Sequence, residues 1–120
     1  MSRYMLMPAL FLLSAAPALA YGAIAVDKND SSIEPAYGYS INQPDRATAE
    51  QVAVEYCRQY ANSRANCQPI VWFETCGAYA NSPKYFGYGY GATKAAAIEG
   101  ARRMCGRDSC IIRVAVCEKR

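Results

Sequence analysis

Cys76-Gly77-Ala78-Tyr79-Ala80 follows the pattern of Tyr21-Gly22-Ala23-Ile24-Ala25, and the likeness continues in order along the chain. Tyr37-Gly38-Tyr39-Ser40 is matched by Phe86-Gly87-Tyr88-Gly89. Ala49, Ala53, Tyr56 and Cys57 are matched by Ala97, Ala101, Met104 and Cys105, and Cys67 to Phe73 by Cys110 to Val116. This alignment divides residues 21–120 into a first repeat, 21–74, and a second, 76–117. Two copies are too few for a solenoid and suit one pseudo-symmetric domain with a shared core.

Each repeat reads strand, strand, helix, strand. Ile24 and Val26 alternate with Ala23 and Ala25, a period of two. Asp45, after Pro44, can cap a helix running to about Asn62, and Thr93 holds the matching position for a helix to about Met104, stopped by Gly106. Ile70 to Phe73 and Ile111 to Val116 are rich in β-branched and aromatic residues, as strands are. The expected fold is α+β: two pseudo-symmetric strand-strand-helix-strand repeats forming one mostly antiparallel sheet of about six strands, with two helices on one face. Alternation puts Gly38, Gly87 and Gly89 on one face and Tyr37, Tyr39, Phe86, Tyr88 and Tyr90 on the other. Small residues on the helices, Ala49, Ala53, Ala97 and Ala101, would meet the glycines, leaving the rings to line the opposite face.

The N-terminus sets the compartment. Arg3 precedes a greasy run from Met5 to Leu13, and Ser14 to Ala20 is small and ends Ala18-Leu19-Ala20. That is the pattern of a signal peptide, residues 1–20, cut to leave Tyr21 first. An uncleaved anchor is the competing reading, since no charge falls between Tyr4 and Val26, but Pro8, Pro17 and the small-residue cleavage site oppose it. The expected location is therefore periplasmic or secreted, with no membrane span after cleavage.

In an oxidising compartment the six cysteines read as disulfides. Spacing alone allows fifteen connectivities. The repeat narrows them: Cys57 and Cys67 occupy the places of Cys105 and Cys110, each pair tying a helix end to the next strand, and Cys76 with Cys117 closes the second repeat. Strand alternation sets Cys117 opposite Val114 and Val116, which puts that bridge on the aromatic side. No C-x-x-C and no His occur, which argues against a metal site or a redox dithiol.

Lack of His also removes Ser-His-Asp and Cys-His catalysis. A net charge of +3 is too small to argue for nucleic acid. Gly87-Tyr88-Gly89-Tyr90-Gly91-Ala92 contains G-x-G-x-x-A before a helix, yet the chain has no room for a dinucleotide-binding half-domain, and no cofactor is expected. Asp27, Glu50, Glu55, Glu74, Glu99 and Asp108 are the acid/base candidates, with no spacing that nominates a pair. Arg102, Arg103, Arg107 and Arg113 read as a modest basic cluster, and Asn29-Asp30-Ser31 as a chance sequon. The aromatic face is the most informative surface. Tyr is enriched at interfaces because its ring is large, stiff and able to hydrogen-bond. The candidate binding residues are Tyr37, Tyr39, Trp72, Phe86 and Tyr88, weighed against plain cross-strand pairing.

The combination of Tyr21-Gly22-Ala23-Ile24-Ala25-Val26, Tyr37-Gly38-Tyr39-Ser40, Ala49 to Cys57, Trp72-Phe73, Cys76-Gly77-Ala78-Tyr79-Ala80, Gly87-Tyr88-Gly89 and Cys105…Cys110…Cys117 resembles domain-of-unknown-function family 4189. The resemblance implies a small exported bacterial domain with cysteine bridges, and it brings no catalytic residues. The expected function is a non-catalytic module that binds a protein or envelope polymer. The alternatives are an inhibitor or immunity protein against a secreted toxin, and a small carboxylate-dependent hydrolase.

Overall fold

The computed structural model describes residues 20–29, 34–62 and 65–119. The expected signal peptide lies outside these residues except for Ala20, as do Asp30 and Ser31 of the sequon. The strands are β1 (Tyr21–Asp27), β2 (Tyr37–Gln43), β3 (Cys67–Phe73), β4 (Cys76–Asn81), β5 (Phe86–Gly91) and β6 (Ile111–Cys117). Helix α1 (Arg46–Tyr60) lies between β2 and β3, and α2 (Lys94–Cys105) between β5 and β6. The order strand-strand-helix-strand thus occurs twice, in an α+β fold.

The strands form two antiparallel three-stranded sheets, β2-β1-β3 and β5-β4-β6, where the sequence suggested one. The reason lies in the faces of the central strands. Ala23 and Ala25 of β1 pack against α1 with Ala49, Ala53 and Cys57. Ala78 and Ala80 of β4 pack against α2 with Ala97, Ala101 and Cys105. The opposite faces carry Ile24, Val26, Val71, Phe73 and Tyr79, which cluster together. A single open sheet with both helices on one side would leave that second apolar face in water. Stacking the sheets buries it and puts one helix on each outer face.

Local chemistry starts and stops the helices. Asp45 accepts a 2.7 Å bond from the Thr48 N–H at the start of α1, and Thr93 accepts a 3.1 Å bond from Ala96 at the start of α2. Helix α2 ends at Gly106, whose φ of 71° is the left-handed conformation that glycine reaches without strain. Helix α1 stops at Tyr60, short of Asn62, because Ala61 is already extended.

Close approach of each helix depends on missing side chains. A Cβ on Gly38 would lie 2.3 Å from the Cys57 nitrogen, and one on Gly89 would lie 2.1 Å from the Ala97 carbonyl oxygen. Ser40 holds the row of the first sheet that Gly89 holds in the second, and its hydroxyl donates to the Ala49 carbonyl at 2.7 Å. Between the sheets, the Phe73 ring fills the space above both Gly22 and Gly77.

Sulfur joins Cys57 to Cys67, Cys105 to Cys110 and Cys76 to Cys117, the same pairs that the alignment of repeats yields. The third bridge corrects the expected side. Val114 and Val116 turn toward the other sheet, while Cys76 and Cys117 pack with the α2 cluster. Small Ala115, opposite Ala78, faces the helix instead.

Candidate functional site

The five candidate aromatics do not form one face. Tyr37 and Tyr88 are half-buried against the inter-sheet cluster. Tyr37 tilts against Tyr79 with ring centroids 5.9 Å apart and donates its hydroxyl to the Arg113 carbonyl at 3.1 Å. Trp72 faces the α1 side, stacked on Tyr21 and covered by the Arg46 guanidinium 4.9 Å from its ring centroid. Trp72 and Tyr88 line a common cleft of about 530 Å³ along β3 and β5. Phe86 is exposed at another end, beside Pro83 and Tyr85. Tyr39 is exposed and shares an open groove with Tyr37.

That groove, about 950 Å³, runs along β2. One wall is α1, which presents Val52, Tyr56 and Tyr60; the other is β6, which presents Ile112 and Arg113. Val52, Tyr56 and Tyr60 lie four residues apart, so they form a stripe one step around the helix from the buried Ala49, Ala53 and Cys57. Tyr60 is 75% exposed and Tyr56 47%. Sequence reasoning missed these two tyrosines as site residues. The signal was available as this second apolar stripe, which the core does not use.

A β-bulge shapes the β6 wall. Tyr79 pairs with Val114 and Ala80 with Ile112, so Arg113 is the extra residue between them. Ile70 takes the same place in β3. Bulges re-aim a side chain. Here the Arg113 guanidinium donates to Asn81 at 2.6 Å and to Glu34 at 2.9 Å at the groove's edge. The Arg113 side chain is 14% exposed and that of Glu34 74%, so the cation is tied down at the groove's edge while the carboxylate stays largely in water. Further cross-sheet bonds hold the wall. Glu118 accepts from the Asn42 N–H at 2.7 Å, and Asn42 accepts from the Lys119 N–H at 3.1 Å. Asn42 has a positive φ of 58°, tolerated by asparagine, at the end of β2.

The β2 edge itself is open in hydrogen-bonding terms. Asp27 donates to the Ala36 carbonyl at 2.9 Å, and the register pairs Val26 with Tyr37 and Ala25 with Gly38. Alternation therefore turns the backbone groups of Gly38 and Ser40 toward β1 and those of Tyr37 and Tyr39 away from it. Among the described residues no strand lies beyond β2.

The remaining candidates scatter. Asp27 is buried and accepts from the Asn29 and Asn66 N–H groups, both at 2.9 Å. Glu50 and Glu99 pair with Arg46 and Arg103 along their helices, as exposed pairs that contribute little. Of the basic cluster, Arg107 lies 4.1 Å from the Tyr85 ring centroid, Arg103 pairs with Glu99 on α2, and Arg113 is held by Asn81 and Glu34. Gly87 and Gly89 press against the α2 backbone, leaving no room there for a phosphate. Among the described residues no cluster of His, Cys, Asp or Glu could hold a metal ion.

The family model described as Domain of unknown function (DUF4189) matches residues 21–117. The chain is 37% identical over 86 residues to Protein Rv1269c and to Protein MT1307, both of Mycobacterium tuberculosis strains, and to Protein Mb1300c of Mycobacterium bovis. The aligned segment is 72% of this chain and 61% of each relative, so the chain spans less than two thirds of their length. No solved structure matches.

Proposed function

Because the chain belongs to the DUF4189 family, whose description assigns no activity, the reading rests on its own groove, and we propose an exported, non-catalytic binding module. The observation that carries it is four tyrosines, Tyr37, Tyr39, Tyr56 and Tyr60, gathered on one open groove from two elements. Tyr60 is 75% exposed and lies outside the core, and a contiguous exposed aromatic patch is the kind of surface that marks an interaction site. Export is supported by the Met1–Ala20 pattern and by three bridges suited to an oxidising compartment. No helix among the described residues is long and apolar enough to cross a membrane. The β2 groove and the Trp72–Tyr88 cleft are each lined by a single carboxylate, Glu34 and Glu74, which favours binding over paired-carboxyl hydrolysis. The partner is a protein or polymer of the envelope or the secreted fraction. Affinity capture from an envelope extract tests it, comparing the oxidised protein with Tyr39→Ser/Tyr60→Ser. The reading expects a partner held by the first and lost by the second at unchanged melting temperature. Equal retention by both refutes it.

A further inference from the structure

We propose that β2 is a docking edge for an extended polypeptide, which binds as an added antiparallel or parallel strand; this rests on the groove reading and names its occupant. Two observations converge. The floor of the groove is an edge strand whose Tyr37 and Tyr39 backbone groups point outward, as the Asp27–Ala36 bond and the register require. Its walls stand on the two sides where a new strand would place alternate side chains: Tyr56 and Tyr60 of α1 on one, Ile112 of β6 on the other. Strand addition of this kind draws affinity from main-chain bonds and specificity from pockets for alternate side chains.

Charge selects the occupant's chemistry. The groove's charged side chains are Glu34 and Arg113, already bonded to each other at 2.9 Å. An acidic residue along the bound strand would meet the negative faces of tyrosine rings and no cation beyond the already paired Arg113, whereas a basic one is tolerated by the rings and by the exposed Glu34 carboxylate. The occupant is therefore a stretch of about five residues free of Asp and Glu, matching Tyr37–Ile41 and spanning about 17 Å at the usual rise per strand residue. Apolar or small side chains would alternate along it. A glycan would use the same rings but not the alternating amides, so the two ligands differ in what they demand of the backbone.

Displayed random linear heptapeptides panned on the oxidised protein supply the probe, and N-methyl scanning of a selected peptide reads the geometry. Methylation at alternate positions should weaken binding about tenfold or more each, with the intervening positions nearly silent. Bound peptide should also slow hydrogen exchange at the Tyr37 and Tyr39 amides and leave Gly38 unchanged. Tyr60→Ser should weaken the peptide while keeping the period of two. Insensitivity to N-methylation, or equal sensitivity at every position, overturns strand addition. Failure to select any peptide, while the groove variant still loses its envelope partner, overturns the peptide occupant and leaves the groove reading standing. Binding of an envelope oligosaccharide at this groove, or concentration-dependent self-association through β2 in sedimentation, likewise overturns it in favour of a glycan or a second copy.

Discussion

Gly89→Ala tests how tightly the second helix is seated. The added Cβ would sit 2.1 Å from the Ala97 carbonyl oxygen and 2.6 Å from the Ala101 nitrogen. Ordinary contact begins near 3.4 Å, so one or other backbone must retreat by roughly 1 Å. Both are backbone atoms inside regular elements, and neither can swing aside as a side-chain tip would. Overpacking of this kind costs about 1–3 kcal/mol. Against it stands the smaller gain of about 0.4–1 kcal/mol from restricting the unfolded chain. The expected net loss is about 1.3 kcal/mol, a fall in Tm of about 5–10 °C for a domain near 100 residues. Thermal and urea unfolding of the oxidised protein measure it, with Tyr90→Ala as a control on the same strand at a side chain 67% exposed. The control should stay within about 0.5 kcal/mol of the parent. A Gly89→Ala protein as stable as the parent, with an unchanged urea slope, would refute the close seating of α2.

Removing the bridges one at a time as double Ser variants should rank with loop length. For sequence separations of 41, 10 and 5 the chain-entropy cost is about 4 kcal/mol for Cys76–Cys117, about 3 for Cys57–Cys67 and about 2 for Cys105–Cys110, read from urea midpoints. Tyr79→Ala, at a ring 1% exposed in the inter-sheet cluster, should cost about 3–5 kcal/mol, whereas Tyr60→Ala should change stability by less than about 0.5 kcal/mol. Hydrogen bonds from Thr48 hold the Asp45 carboxyl below its ordinary value of 3.8. A depressed folded value means the cap's ionic contribution is present above pH 3.8 and is lost as pH falls through the folded value. Melting between pH 5 and pH 2 should therefore show a steeper acid loss in the parent than in Asp45→Asn.

What could be read in advance was what is local. Asp45, Thr93 and Gly106 mark helix ends because capping is decided within a few residues. Glycines opposite alanine-rich helices announced close seating, because a missing Cβ has few other uses in a strand. The division into two sheets was not legible, because period-two alternation says which residues share a face and not what that face meets. The wrong side assigned to Cys117 had a correctable cause: the rule that small residues meet the helix also applied to Ala115. The bulge at Arg113 and the second helix stripe at Tyr56 and Tyr60 depend on strand register and on which side of the sheet stays open. Both are products of assembly, and they are what build the groove.

The joint at Glu74–Thr75 has a consequence for chain order. Each sheet is completed by strands from its own half, so this short bend between β3 and β4 is the one covalent crossing among the described residues. Beside it, the Glu118 N–H donates to the Thr75 carbonyl at 2.7 Å, and Lys119 is bonded to Asn42, which adjoins Gln43, the register partner of Tyr21. The two ends of the folded unit therefore lie near one another. A circular permutant opened at Glu74–Thr75, with a short linker from Lys119 back to Ala20, would exchange the order of the halves while keeping every strand pairing, and the fold itself is indifferent to which half is translated first.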